Sequence, residues 1–339
     1  MKILIVGVFN KPWSSNIPIA KEFKKINQEV FKFDYRGTAL KNLRVNFSLY
    51  SIIFKNNFDS FIRLRLYLPD AIRNLKFYLF GNWRMNRILL EIVKKNRFDL
   101  IFLAKTDTIN YKIIPKLNSY SKTWYFFMDP LKRALEINAV KYAALSTWSS
   151  ASTTAMTFLF KKYGANSFYI LEGFDQNLFS PGKENSIKKY DVIFVGSKRP
   201  DRKYFIDYLK KNNINIVCYG KGWNNKPVYL KKLVKKYRKS KIILNFPRED
   251  SGFSDRVFQS MGTGSFLLSR YCSDLERVFK KGVHLDWFET PEECLKLIEY
   301  YLDNEALREK ISKVGSKYVL ENFTWDKTVE KIIKITQQK

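Results

Sequence analysis

The sequence predicts an α/β protein made of two Rossmann-like parallel-sheet domains. Three observations lead there. Short apolar runs alternate with amphipathic helical segments along both halves of the chain, the pattern of parallel strands joined by helices. A polar stretch, Gly182-Lys183-Glu184-Asn185-Ser186, follows Pro181 and breaks the alternation near mid-chain. With 339 residues, the chain has room for two domains of ordinary size. The expected division is an N-terminal domain over 1–181 and a C-terminal domain over 187–324. The domains are expected to face a cleft, with ligands at the carboxyl ends of the strands.

The first half opens with a strand, ILIVGV (3–8), a helix over 17–26 and a strand, EVFKFDY (29–35). A long helical stretch over roughly 42–96 is interrupted near Pro69. Strands resume as FDLIFLA (98–104), TWYFFMD (123–129), YAALST (142–147) and NSFYIL (166–171). Second-half strands are DVIFVG (191–196), INIVCYG (214–220), IILNF (242–246) and SFLLS (265–269). Helices are expected near 202–211, 229–238, 255–261, 291–302, 305–315 and 325–336.

The stretch with most chemical content is KIILNFPREDSGFSDRVFQSMGTGSFLLS (241–269). A buried strand runs into a polar loop carrying Gly252. A short helix then opens around Ser254 and Asp255, and a second strand follows. Free backbone N–H groups at a helix start form a seat for phosphate. Arg256 adds a charge-assisted, bidentate contact to the same anion. A cation in the first helical turn opposes the helix dipole, which makes sense when an anion sits between.

The run SDRVFQSMGTGSFLLS (254–269) resembles the donor-site motif of GT-B glycosyltransferases, most closely the spore-maturation CgeB-like group. MKILIVG at the start, YDVIFVGSKRPDRK (190–203), KYRKSKIILN (236–245) and TWDKTVEKII (324–333) fit the same pattern. More distantly, the chain is similar to the phage DNA glucosyltransferases. Their Arg-Val-Trp-Glu helix start looks like residues 256–259 here, and they place an aspartate base after a similar aromatic strand. The resemblance implies sugar transfer from a nucleoside-diphosphate donor, a UDP-sugar being expected, with no cofactor. It also implies that the last helix, within 325–339, crosses back to the first domain. Gln259 stands where the family usually has a Glu that grips the ribose. An amide still bonds hydroxyls but carries no charge.

Three strand ends supply the expected donor pocket. Gly252, Phe253, Ser254, Asp255, Arg256 and Gln259 form the first. In GSKRPDR (196–202), Gly196 and Ser197 give backbone access while Arg199 and Arg202 reach a diphosphate. The plainer alternative is a solvated basic turn before a helix. In CYGKGW (218–223), Gly220 and its neighbours admit a flat base, or simply end a strand.

The first domain is expected to hold the acceptor. Asp129 ends an apolar strand and is the candidate general base, since burial beside aromatics raises a carboxyl pKa. The alternative is an N-cap for a helix over 130–139. Gly7 ends the first strand, and Ser14, Ser15 and Asn16 either cap the next helix or touch the acceptor or transferred sugar. No Gly-x-Gly-x-x-Gly fingerprint follows that strand, so a dinucleotide cofactor is not supported. Lys105 and Asp107 lie at another strand end and receive no assigned chemistry.

No metal is expected. Cys218, Cys272 and Cys294 are scattered, the single His284 reads as structural, and no Asp-x-Asp motif occurs. Arg and helix dipole would then stabilise the leaving diphosphate. The chain opens directly into a strand pattern and has no apolar run of about 18 residues, so a cytoplasmic setting is expected.

Lys plus Arg number 61 against 32 Asp plus Glu, a net charge of +29. An excess of this size suggests a polyanionic partner, DNA or an anionic membrane surface. Residues 61–97 hold nine Lys/Arg against two acids with aromatics interleaved, and residues 202–241 hold thirteen against Asp207 alone. Solvated helix faces explain part of both. The expected function is glycosyl transfer to an acceptor, with hydroxylated DNA one candidate. The alternatives are a membrane-surface enzyme acting on a lipid-linked or cell-envelope glycan, and a non-catalytic nucleic-acid-binding protein on a decayed scaffold.

Overall fold

The computed structural model describes residues 1–35, 82–104, 106, 109–182, 187–247 and 252–338. The chain groups into two compact units: Met1–Ala151 with Met156–Tyr169, and Ser152–Ala155 with Ile170–Lys339. Described elements are numbered in chain order.

The first unit contains β1 (Lys2–Gly7), α1 (Asn16–Lys25), β2 (Glu29–Asp34), α2 (Asn82–Asn96), β3 (Leu100–Ala104), α3 (Ile114–Asn118), β4 (Lys122–Phe127), α4 (Leu131–Ile137), α5 (Ala139–Leu145), β5 (Trp148–Ala151), α6 (Thr154–Lys162) and β6 (Ser167–Tyr169). Its six strands run in the order β2-β1-β3-β4-β5-β6, all pairs parallel. The central strand β3 is continuously apolar, as expected of a strand covered on both faces, and Leu100–Ala104 is buried throughout. Strand order reverses at β1 and β3, which opens a crevice at their carboxyl ends.

The second unit contains β7 (Tyr190–Val195), α7 (Pro200–Lys211), β8 (Ile216–Tyr219), α8 (Leu230–Arg238), β9 (Ser240–Asn245), α9 (Arg256–Gly262), β10 (Phe266–Arg270), α10 (Ser273–Val278), β11 (Asp286–Phe288), α11 (Pro291–Asp303), α12 (Glu305–Asn322) and α13 (Trp325–Gln337). The sheet order is β11-β10-β9-β7-β8, again parallel. Its switch point lies between β7 and β9. One core cluster, including Val257, Phe258 and Leu267, covers one face, and another, including Phe194, Phe246 and Leu268, covers the other.

Two expectations change. YAALST (142–147) is not a strand: α5 runs through Leu145 and the strand is Trp148–Ala151. Ala143 and Ala144 favour a helix, and Tyr142 and Ala143 are buried from that helix. The second compact unit takes in Ser152–Ala155 and everything from Ile170 onward, α13 included. Phe174 bridges Thr324, and Gly173 lies so close to Trp325 that a Cβ would meet its backbone at 2.6 Å. Finally, α12 continues through Gly315 to Asn322. Of the basic segment 61–97, the described part from Asn82 is mainly α2, with Met85, Leu89 and Val93 buried and Arg84, Arg87, Lys94 and Lys95 exposed. The rest lies outside the described residues, as do Lys105, Asp107 and 183–186 of the linker.

Gly315 lies inside this helix where another segment approaches closely. A Cβ there would sit 2.0 Å from the His284 carbonyl oxygen. We expect Gly315→Ala to cost about 1–3 kcal/mol through forced separation of α12 from that loop, outweighing the gain in helix propensity. Thermal unfolding of the purified variant measures it.

Candidate functional site

At the switch point of the second unit, the loops after β7 and β9 are tied by Arg202. This side chain is only 3% exposed. Nη1 donates to the Ser197 carbonyl at 3.1 Å and Nη2 to the Phe246 carbonyl at 3.0 Å, and the guanidinium lies 5.5 Å from the Phe194 ring centroid. Arg202 is therefore placed as a brace under the crevice, not as a solvent-facing diphosphate contact. Arg199 is the more exposed of the pair, and its Nε lies 3.2 Å from Asp201.

Gly220 has φ +143°, and a Cβ would fall 2.1 Å from the Gly196 carbonyl oxygen. The space its missing side chain leaves is thus filled by the neighbouring loop, not open to a flat base. That carbonyl also accepts from Trp223 Nε1 at 2.9 Å, and Gly196 N donates to the Tyr219 carbonyl. The two loops form one backbone-to-backbone contact that only glycine permits.

The loop before α9 comes next. Residues 248–251 lie outside the described residues. Gly252 is buried, and Phe253 packs into the core against Phe258 and Phe279 at 5.5 and 5.8 Å. Its side chain anchors the loop and does not line a surface. Ser254, Asp255 and Arg256 are half-buried at the helix start. Asp255 is the N-cap residue but makes no capping bond. Its carboxylate instead accepts from Gln259 Nε2 at 2.6 Å, one turn away. Among the described residues no carboxylate pairs with Arg256.

Sequence reasoning missed Tyr237. Its ring is fully buried under α9, and its hydroxyl has no hydrogen-bond partner among the described residues. Burial pushes the phenol up to about 12, while the nearby Arg256 guanidinium pulls it down and Asp255 pushes it up. The only sequence signal was a tyrosine on the apolar face of a Lys-rich helix.

The first unit holds a pocket of about 280 Å³ at the carboxyl ends of β1 and β4. Val8, Lys11, Trp13, Ser14, Asn16, Asp129 and Arg133 are among its lining residues. It therefore brings together Ser14, Ser15, Asn16 and Asp129, which were chosen from separate stretches of sequence. Gly7 lies directly behind, since a Cβ there would strike Asn16 Nδ2 at 2.2 Å.

Local bonding rearranges the expected caps. Ser14 Oγ donates to the Val8 carbonyl at 2.5 Å and accepts from Asn16 N at 3.3 Å. Ser15, the N-cap of α1, makes no side-chain capping bond. Asp129 does not cap α4 either, because Pro130 occupies the N-cap position. Asn16 is 2% exposed, with Nδ2 3.3 Å from the Val8 carbonyl and Oδ1 lacking a partner. Trp13, Lys11 and Arg133 were not chosen from sequence as site residues. In KPWSSN only Ser14, Ser15 and Asn16 stand out from sequence, as caps or acceptor-side contacts, and Arg133, one helical turn past Asp129, belongs to no motif.

His284 proves structural, stacked on Tyr318 at 4.1 Å between ring centroids, with Nδ1 accepting from Lys280 N. All three cysteines are buried, and burial pushes the Cys218 thiol up to about 11. No helix among the described residues is long and apolar enough to cross a membrane.

With this geometry in place, comparison with known proteins gives a consistent result. Residues 199–334 match the family described as glycosyl transferase-like, a span within the second unit that includes Arg256 and Gln259. HepE from Anabaena, solved with UDP and glucose, superposes with TM-score 0.67 at 12% identity over 100% of both chains. The fold is the GT-B glycosyltransferase fold. Sucrose-phosphate synthase from Thermosynechococcus elongatus shares it with TM-score 0.65 and 10% identity over 100% of this chain and 99% of that one. A glycosyltransferase from Rickettsia africae does so with TM-score 0.63 and 14% identity, over 99% and 98%. No curated protein matches the chain in sequence. The family match covers part of the chain, and the solved neighbours share its fold across nearly all of it.

Two outcomes follow within this GT-B fold. Arg202→Met would leave the Ser197 and Phe246 carbonyls without their charged donor, at a cost of about 3 kcal/mol, read as a lower denaturation midpoint. His284 has its pKa lowered by burial, helped by the Lys280 ammonium. The unfolded chain therefore takes up a proton first as pH falls. Stability from this group is complete above the ordinary histidine value and is lost as pH drops through it toward the lower folded-state value. His284→Phe keeps the ring stack, and its melting temperature should fall less than wild type's between pH 7 and pH 5.

Proposed function

We propose that the protein transfers a glycosyl group from a nucleoside-diphosphate sugar, a UDP-sugar, to an anionic acceptor. One observation carries the donor half. Arg256 is a half-buried cation in the first turn of α9, at the positive end of the helix dipole, with no carboxylate partner among the described residues. A dianionic leaving group supplies the missing charge. The family match over residues 199–334 and the UDP complexes of the HepE neighbour support that assignment.

In this reading, Arg256 and the backbone N–H groups of Ser254 and Asp255 stabilise negative charge as the sugar–phosphate bond breaks. Arg199 assists from the loop after β7, and Arg202 holds that loop in position through Ser197. Gly196 and Gly220 keep it close to the strand ends, as Gly252 and Phe253 do for the other loop. Gln259 faces the ribose. Its bond to Asp255 places a carboxylate beside the amide and so restores the charge that Gln259 lacks.

The acceptor belongs to the first unit, with Asp129 as the base for its hydroxyl and Gly7, Ser14, Ser15 and Asn16 forming the floor. The net charge of +29 supports a polyanion. Hydroxylated DNA and an acidic envelope glycan both qualify. The order of motifs supports a CgeB-like enzyme, in a cytoplasmic setting.

Thermal-shift titration with UDP tests the donor assignment. At a concentration near 100 Kd, UDP should stabilise the wild type by about 2.7 kcal/mol. Arg256→Ala should weaken UDP by roughly tenfold to a hundredfold and lose UDP-sugar hydrolysis while its own melting temperature holds. Wild-type UDP affinity in that variant would remove the assignment. No UDP response in the wild type, with steeply salt-dependent duplex binding, would favour a nucleic-acid-binding protein instead.

A further inference from the structure

The first-unit pocket carries more chemistry than a base alone needs. Its floor offers hydrogen-bond acceptors. Asn16 Oδ1 is buried without a partner, which costs on the order of 1–3 kcal/mol unless a ligand satisfies it. The amide is oriented by Nδ2, which lies toward the Val8 carbonyl, so the oxygen is the atom left over. Asp129 lines the same wall. A ligand that fits must therefore donate hydrogen bonds there.

The rim differs. Trp13 is 54% exposed, with the Lys11 ammonium 5.9 Å from its ring centroid. An indole face is electron-rich and attracts the weakly positive C–H bonds on one side of a sugar ring. Arg133 stands across the pocket from the first turn of α4, with Glu136 at 3.0 Å holding its guanidinium in place. Lys11 and Arg133 give the rim a cationic character, and the planar fork of Arg133 matches a carboxylate. About 280 Å³ suits a single ring.

We propose that this pocket binds a hexuronic acid residue of the acceptor. Its ring stacks on Trp13, its hydroxyls donate to Asn16 Oδ1 and Asp129, and its carboxylate meets Arg133 and Lys11. The proposal rests on the acceptor-side reading above and narrows it to an acidic saccharide. A flipped nucleobase is the poorer fit. It presents few donors to a floor of acceptors, and extruding it costs a few kcal/mol.

The test is calorimetric titration of the full chain with a glucuronic-acid-terminated oligosaccharide. A control carries the same terminus reduced to glucose. We expect the acidic form to bind more tightly. Trp13→Ala should weaken both forms about fivefold to tenfold. Arg133→Gln should erase the preference for the acid while keeping the neutral form's affinity. Melting temperatures without ligand check that each variant folds. Equal affinity for both forms in wild type, or unchanged binding in Trp13→Ala, would overturn the proposal. So would displacement of the saccharide by a hydroxymethylated duplex at lower concentration, which would give the pocket to a base. UDP stabilisation of the wild type is measured alongside. If UDP stabilises the protein and the saccharide fails to bind, only this inference falls. If UDP has no effect, the donor reading falls separately.

Discussion

A single buried guanidinium ties together two strand-end loops of the second sheet. Arg202 lies where the strand order of the second sheet reverses, and it bonds the carbonyl that leaves β7 and the one that leaves β9. Both carbonyls lie just past a strand end. Without a donor they would repel one another and splay the loops. A charged, planar donor satisfies both and leaves the crevice shaped for a ligand. Gly196 and Gly220 bring the β7 and β8 loops into backbone contact beside it.

This division of labour separates two arginines that look alike in sequence. Arg202 is a buried positioning residue that acts through Ser197. Arg256 remains without a carboxylate among the described residues and faces its charge at a helix start. A protein with +29 net charge has many cations, and α8 shows how such residues can sit on a helix face: Lys231, Lys232 and Lys235 are exposed while Leu233, Val234 and Tyr237 are buried. Excess charge attracts polyanions at long range. Specific recognition comes from the few cations whose surroundings leave them short of a partner.

The first unit solves a different problem. Its pocket collects acceptors and one carboxylate at the floor, with cations and an indole at the rim. Ser14 and Asn16, which sequence type suggests are caps, are drawn from capping toward the Val8 carbonyl at the end of β1. That carbonyl takes the hydroxyl of Ser14 and orients the amide of Asn16, and Gly7 leaves room for the amide to lie flat.

Strand and helix placement was legible in the sequence because burial on both faces of a parallel sheet enforces continuous apolar runs, and glycine, proline and polar clusters punctuate them. The failure at 142–147 has the same origin in reverse, since a short apolar run of alanine and leucine fits a buried helix as well as a strand. The loop before Arg256 could be read because its chemistry is local: glycine, cap residue and cation lie within a few positions. Tertiary structure decided everything that depends on distant partners. It sent Phe253 and Arg202 inward and placed Tyr237 beneath Arg256. It also brought Lys11 and Trp13 to the pocket that Asp129 and Arg133 line, from a segment more than a hundred residues away. Sequence periodicity reports which face of an element is buried; only the packed sheets determine which side chains meet at their ends.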